Sequence, residues 1–300
     1  MKEIKLIALY YYICDCYDTE LRWICQRFSN NSRPAFSDEE CLCIYLYAMI
    51  EEEKHTIKSM YDYADRYLRT WFPDLPSYQA FNARVNRLSE AFPALVKRLL
   101  RDTPSDNVDL SMSLVDSMPI ITCSGRRAGK VAPELTNKGY CSTKKLHYYG
   151  VKLHGIAFHK PGGLPFPEVL TLTSASEHDL TALKSTFLLM KNRHLYADKA
   201  YANEPLNKHL QAQLNSAIFT PVKLKKGQSE WERAFNKAAD DLFSRAVSTI
   251  RQPIESLFAW LIRKTDIQRA SLIRSDKGLI AHIFGRIAAV YAAKVPALNP

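Results

Sequence analysis

No C-x2-C spacing occurs among the seven cysteines of this 300-residue chain, and no histidine pair stands where it would complete a zinc site. Cys14/Cys16 and Cys41/Cys43 form C-x-C pairs, while Cys25, Cys123 and Cys141 are scattered. An odd count so distributed reads as reduced cytosolic thiols, several of them in helix cores, and the expected location is the cytoplasm. An apolar run long enough to span a bilayer is also lacking, so no membrane partner is expected. The closest approach to a leader is LIALYYYIC after Lys2 and Lys5. It is tyrosine-rich, closes on Asp15 and Asp18, and has no A-x-A cleavage site. Internal repeats and low-complexity tracts are absent as well.

What is present suits a folded chain with a polyanionic partner. Apolar residues make up 47%, enough for a sizeable core, and the formal charge is +10. That charge is unevenly placed. Residues 1–105 carry 14 Lys+Arg against 15 Asp+Glu, a net of −1; residues 106–300 carry the remaining 27 against 16, a net of +11. The second part is therefore the part expected to face a polyanion.

Two parts are expected, a helical one over 1–105 and an α/β one over 106–295, divided at TPSDN (103–107). Ser37-Asp38-Glu39-Glu40 reads as a capping box that opens a long helical run. Ser77 reads as the N-cap of a helix carrying Gln79, Asn82, Arg84 and Arg87, after a proline-rich turn. Short helix, tight turn and a helix with amide and arginine side chains suit a helix-turn-helix reader, although a plain helical bundle fits the same stretch. Beyond the boundary, five strands are expected, at LSMSLVDSMPI, HYYGVKLHGIAFH, PFPEVLTLTSA, HLYADKAY and AIFTPVK. Helices are expected over 177–191, over 203–214, from Glu230 onward and in GLIAHIFGRIAAVYAAK. The steps Phe243, Val247, Ile250, Ile254, Leu257, Phe258 and Leu261 predict one long amphipathic helix through Glu255, which Pro253 kinks or restarts. Strands followed by strand–helix alternation argue for a mixed α/β sheet with helices on its faces.

Acids at strand ends are the candidates for chemistry. Asp116 ends the first strand and Asp198 the fourth, and Glu255 lies on the late helix. Oxygen ligands without cysteine or histidine suit a hard cation, Mg2+ or Mn2+. Two such ions roughly 3.5–4 Å apart can activate an attacking oxygen and stabilise a leaving one in a phosphodiester. Arg251 stands one helical turn before Glu255, on the same face, where it can reach the same phosphate. Lys152 and His154 share one strand face, and Lys199 follows Asp198. The segment 122–145 holds six Lys/Arg, including Arg126, Arg127, Lys144 and Lys145, against one acid, and is expected to contact a DNA backbone. Against these stand plainer readings: strand-end caps for the aspartates, a solvated helix acid for Glu255, a satisfied strand histidine for His154, and a helix cap for His178-Asp179.

VDSMPI, KGYCSTKKLHYYGVKLH, LTSASEHDL, YADKAY and DLFSRAVSTIRQPIESLFAWLIRKTDIQRAS, in consistent order over residues 110–290, resemble DDE transposases of bacterial insertion sequences, most closely the insertion-sequence 982 family. The resemblance implies a ribonuclease H-like core: a mixed five-stranded sheet with flanking helices, after an all-α head. It implies that Asp116, Asp198 and Glu255 are a metal-binding DDE triad with two ions. It also implies that water first attacks at the transposon end and that the freed 3′-hydroxyl then attacks target DNA. The partners implied are double-stranded DNA, as terminal inverted repeats and as target, and a second copy of the chain on that DNA. Related transposases carry a Tyr–Arg–Glu–Lys signature around the last acid. Here Arg251 matches, Ser248 stands in the tyrosine position, and Ile262 stands in the lysine position with Arg263 and Lys264 beside it. Two rival readings are a metal-dependent nuclease without strand transfer and a catalytically idle DNA-binding descendant of a transposase.

Overall fold

A computed structural model describes residues 2–27, 34–126, 129–141, 144–186, 190–223, 227 and 229–298. The chain forms two compact units: Met1–Pro104 with Ala128–Glu134 and Leu261–Pro300, and Ser105–Arg127 with Leu135–Trp260.

The first unit is helical, with α1 (Lys2–Cys16), α2 (Asp38–Glu52), α3 (Ile57–Tyr67), α4 (Tyr78–Arg87) and α5 (Ala91–Asp102). The capping box forms as its sequence predicts. The Ser37 hydroxyl accepts from Glu40 N at 3.1 Å, and the Glu40 carboxylate accepts from Ser37 N. From Cys41 to Met49 α2 is buried on every face, so it is a core helix rather than a surface one. The C-terminal α10 (Asp276–Ala292) packs against α5, α2 and α4. By these contacts α10 groups with the N-terminal helices, although it follows the expected 106 boundary in sequence. Its residues from Ala281 to Ala292 are all buried, and a helix apolar on all sides needs cover on all sides. Gly285 permits the approach to α2: a Cβ there would lie 2.6 Å from the Tyr45 hydroxyl.

The second unit is built on a mixed sheet of six strands: β1 (Asp109–Ser124), β2 (Asn137–Cys141), β3 (Leu146–His159), β4 (Phe166–Ser174), β5 (His194–Tyr196) and β6 (Ala217–Phe219). The order is β2-β3-β1-β5-β6, with β4 also on β3. β1, β2 and β4 run antiparallel to β3, while β5 and β6 run parallel to β1. The five expected strands are present; β2 is the addition. NKGYC is polar and short, so it carries no burial pattern, and it is ordered only by its ladder to Leu146–Gly150. Leu114, Val115, Leu153, Ile156, Leu195 and Ile218 form the buried core of the sheet.

Helices α6 (Asp179–Lys184) and α7 (Glu204–Leu214) follow β4 and β5. α6 is shorter than the expected 177–191 helix, and residues 187–189 of that stretch lie outside the described residues. The expected long helix is two helices, α8 (Glu230–Arg251) and α9 (Pro253–Thr265). Proline has no N–H to continue a ladder but fits a first helical position, so Pro253 opens α9. Glu255 N donates to Gln252 O at 3.0 Å within the new first turn. The predicted apolar stripe is not buried along its whole length: Phe243 is 43% exposed, and burial begins at Val247. Among the described residues no helix is long and apolar enough to cross a membrane.

Candidate active site

The two aspartates are brought together by strand register. Parallel β1 and β5 pair Met112 with His194, Ser113 with Leu195 and Leu114 with Tyr196, a constant offset of 194 − 112 = 82. The same offset separates Asp116 from Asp198, so both lie two residues beyond the last β1–β5 pair; Asp198 is just past the end of β5, whereas Asp116 does not end its strand as expected but lies midway along β1, which continues to Ser124 paired with β3. Neighbouring strands run about 4.8 Å apart along the paired residues that lead into both acids. Local hydrogen bonds fix each carboxylate. Asp116 Oδ1 accepts from Ser117 N at 2.8 Å. Asp198 Oδ1 accepts from Ala200 N at 2.7 Å and caps the 3-10 turn Lys199–Tyr201.

Glu255 joins them through Arg251. As the last residue of α8, Arg251 donates from Nη1 to Asp116 Oδ2 at 2.7 Å and from Nη2 to Glu255 Oε1. Its side chain is 16% exposed against 55% for Glu255, so the guanidinium sits beneath the glutamate rather than above it. The planar fork lets one arginine serve two acids from different elements. Asp116 pairs across the sheet with Gly155, and α9 packs closely there: a Cβ on Gly155 would lie 3.1 Å from Phe258 Cζ. The missing side chain lets α9 approach the sheet beside Asp116.

Burial pushes the Asp116 carboxyl up to about 6; Arg251 and the Ser117 N–H oppose that, and the fields of Asp198 and Glu255 add to it. Burial alone would lower Arg251, but Asp116 and Glu255 outweigh it and hold the guanidinium above its ordinary value. Beside the three acids is a fourth that sequence reasoning treated only as part of a helix cap. Asp179 accepts from Lys152 Nζ at 3.0 Å and from Ser117 Oγ at 3.1 Å. The Tyr201 hydroxyl is buried without a hydrogen-bond partner, and burial with the charges of Asp179, Asp116 and Asp198 raises it well above the usual phenol range. SEHD, immediately after a strand, was the available signal for Asp179; nothing in YADKAY marked Tyr201. His178 does cap α6, accepting from Leu180 N at 3.2 Å.

Several expected phosphate contacts are otherwise engaged. Lys152 donates to Asp179 and to Glu177 O at 2.8 Å. His154 is buried, its Nε2 lies 2.7 Å from Thr173 Oγ1, and burial lowers its pKa to about 4. Neither is free to meet DNA, because both face inward from β3. Lys199, Lys144, Lys145 and Arg126 are exposed, and Arg127 lies outside the described residues. Lys264 is exposed and belongs to the helical unit.

On α4, Gln79 is exposed and Asn82 half-buried. Arg84 and Arg87 turn inward instead. Both reach Asp38, which is 3% exposed, and Arg27 pairs with it too, at 2.6 Å. A buried carboxylate needs such partners, and two of the four expected DNA readers supply them. Among the described residues no three His, Cys, Asp or Glu side chains are grouped as metal ligands.

Two aspartates on adjacent parallel strands, one of them tied by an arginine to a helix acid, make up the class of site present. The model of the transposase DDE domain matches residues 109–291, more than half of the chain, and the chain belongs to that family. It is thus of the nuclease and transposase kind, whose members generally use divalent metal ions and whose partner is DNA. No curated protein and no solved structure matches the chain.

Proposed function

We propose that this chain is the transposase of a bacterial insertion sequence, of the insertion-sequence 982 type, acting in the cytoplasm. It cleaves the ends of its element and joins their 3′-hydroxyls to target DNA, with Asp116, Asp198 and Glu255 as catalytic acids. The observation that carries this reading is the shared 82-residue offset, which aligns Asp116 with Asp198 inside the family-matched span. Arg251 ties Glu255 to Asp116. The strand order, antiparallel through β3 and parallel from β1 to β6, supports a ribonuclease H-like core.

The donor set suits the metal this chemistry requires. Three carboxylates, one of them driven toward protonation by burial and by its acidic neighbours, are hard-cation ligands that lack a sufficient counter-charge. Asp116, Asp198 and Glu255 would hold two Mg2+ or Mn2+ ions, which when bound activate the attacking oxygen and stabilise the leaving one. The rest of the work falls to the chain. The Ser117 and Ala200 amides aim the two aspartates. Arg251 holds Asp116 and Glu255 in place and offers a cation to the reacting phosphate one turn from Glu255. Exposed Lys199, Lys144, Lys145, Arg126 and Lys264 hold the DNA backbone, and Gln79 and Asn82 contribute to reading the terminal repeats. Two copies pair two ends, as the resemblance implies.

The test is a strand-transfer assay with the full chain, a duplex carrying the element's end, a plasmid target and Mg2+. The proposal expects end-plasmid joints. Cleaved ends without joints would leave a nuclease; binding with neither would leave an idle DNA-binding protein.

A further inference from the structure

Within the helical unit, α3, α4, the segment 266–275 and α10 enclose a cavity of about 740 Å3, separate from the carboxylate cluster. Pockets of roughly 300–1,000 Å3 are those that take small molecules or nucleotides. Its wall includes Arg286, which is 5% exposed. Arg286 Nη2 donates to His55 O at 2.6 Å, while its Nε is buried without a hydrogen-bond partner. The Tyr45 hydroxyl, a neutral group, also bonds it; among the described residues no carboxylate forms an ion pair with it, and Asp266 acts on it only through space.

The neighbouring histidines do not neutralise this cation. His282 is neutral: burial lowers it to about 3, and its Nε2–H donates to Ile267 O at 2.9 Å. His55 is lowered by burial and by Arg286 itself, and its Nδ1 has no partner. A desolvated charge without a counter-ion is costly and focuses a positive potential into the space it lines. Exposed Lys58, Arg269 and Arg274 add to that potential, against Asp266 as the one acid of the lining. Asp62 pairs with Lys58, and Asp276 sits in the first turn of α10.

An anion alone does not account for the other lining groups. Tyr78 presents a ring with Lys58 Nζ 5.3 Å from its centroid, and Asn82 presents an amide; the Asn86 amide holds Asn82 in place, donating to Asn82 O at 2.7 Å and accepting from Ser275 Oγ at 3.3 Å. Arginines for a phosphate, an aromatic face for a base and amides for its edge are the groups that hold a nucleotide. We infer that this cavity takes one nucleotide of a DNA strand, its phosphate on the Arg269, Arg274 and Arg286 side and its base by Tyr78 and Asn82. The choice of a DNA strand over a free nucleotide rests on the proposed transposase reading; the anion site does not.

The experiment titrates the full-length protein with a fluorescent single-stranded oligonucleotide of about six residues, with deoxyadenosine monophosphate and with inorganic phosphate, each at several salt concentrations. Arg269→Ala/Arg274→Ala changes two exposed side chains, so folding is retained, and Asn82→Ala probes the base. The expected result is oligonucleotide affinity at least tenfold lower in the double variant, with a salt slope shallower by about 1.4, and weaker binding in Asn82→Ala. Unchanged affinity and slope in the double variant would overturn the site. Free mononucleotide binding as tightly as the oligonucleotide, with the same dependence on Arg269 and Arg274, would overturn the DNA strand as occupant. Asp116→Asn separates the two claims: it is expected to leave this binding intact whatever it does to cleavage.

Discussion

Arg251 contacts Asp116 with one nitrogen and Glu255 with the other, so a single side chain sets the distance between a strand acid and a helix acid. Lysine keeps the charge but offers a single point donor instead of a fork. Arg251→Lys is therefore expected to lower end cleavage at least tenfold while changing DNA affinity less than threefold, measured on the same end-bearing duplex; unaltered cleavage would show that the fork geometry is dispensable. A second residue carries a pH dependence. His282 is neutral when folded, with a pKa near 3 against 6.5 when unfolded, so the unfolded chain takes up the proton first. Its effect is absent above pH 6.5, and stability falls as pH drops from there toward 3, by about 2 kcal/mol at pH 5. His282→Gln should flatten that part of the stability–pH curve in denaturant titrations of the full chain; an unaltered slope would place the titration elsewhere. At this scale the three acids could be singled out as candidates because the ordered resemblance runs through all of them, each alone having a plainer reading. The inward turn of Arg84, Arg87, Lys152 and His154 was not, because it depends on Asp38 and Asp179, which are distant in sequence and buried only after folding.

The elements decide where those side chains point. α9 begins at Pro253, which places Glu255 in a first helical turn, where the helix dipole favours a carboxylate. α9 lies close to β3 because Gly155 has no side chain under Phe258. Gly155→Val is expected to destabilise the unit by about 1–3 kcal/mol through overpacking and to shift Glu255 away from Asp116. The readout is cleavage reduced at least tenfold, with part of it restored by adding Phe258→Ala; wild-type cleavage in Gly155→Val would mean that the close contact does not set the acid's position. Alternation and turn signals were enough to find five strands. They could not find β2, whose order comes from its ladder alone, nor the offset between β1 and β5. That offset rests on a three-residue strand, HLY, too short to announce a register. The apolar steps through α8 and α9 were read as one amphipathic helix, yet its first member, Phe243, is exposed, because periodicity shows that a face is apolar and not what covers it.

Across the whole molecule, chain order and spatial grouping part company. The break near 103–107 is visible in composition, but the return of α10 to the N-terminal helices is not, since nothing in GLIAHIFGRIAAVYAAK says which partner buries it. A fragment of residues 1–104 is expected to lack a cooperative thermal transition, because α2 and α5 lose the buried faces that α10 covers. A sharp melt of that fragment alone would contradict this division of the chain.

The central claim is that Asp116, Asp198 and Glu255 act as one catalytic set, and single substitutions measure it most directly. Asp116→Asn, Asp198→Asn and Glu255→Gln would each be assayed for Mg2+-dependent cleavage of end-bearing DNA, with binding measured in parallel. The account predicts that each loses cleavage by at least a hundredfold while binding stays within about threefold of the wild type. Retained cleavage in any one of the three would contradict it.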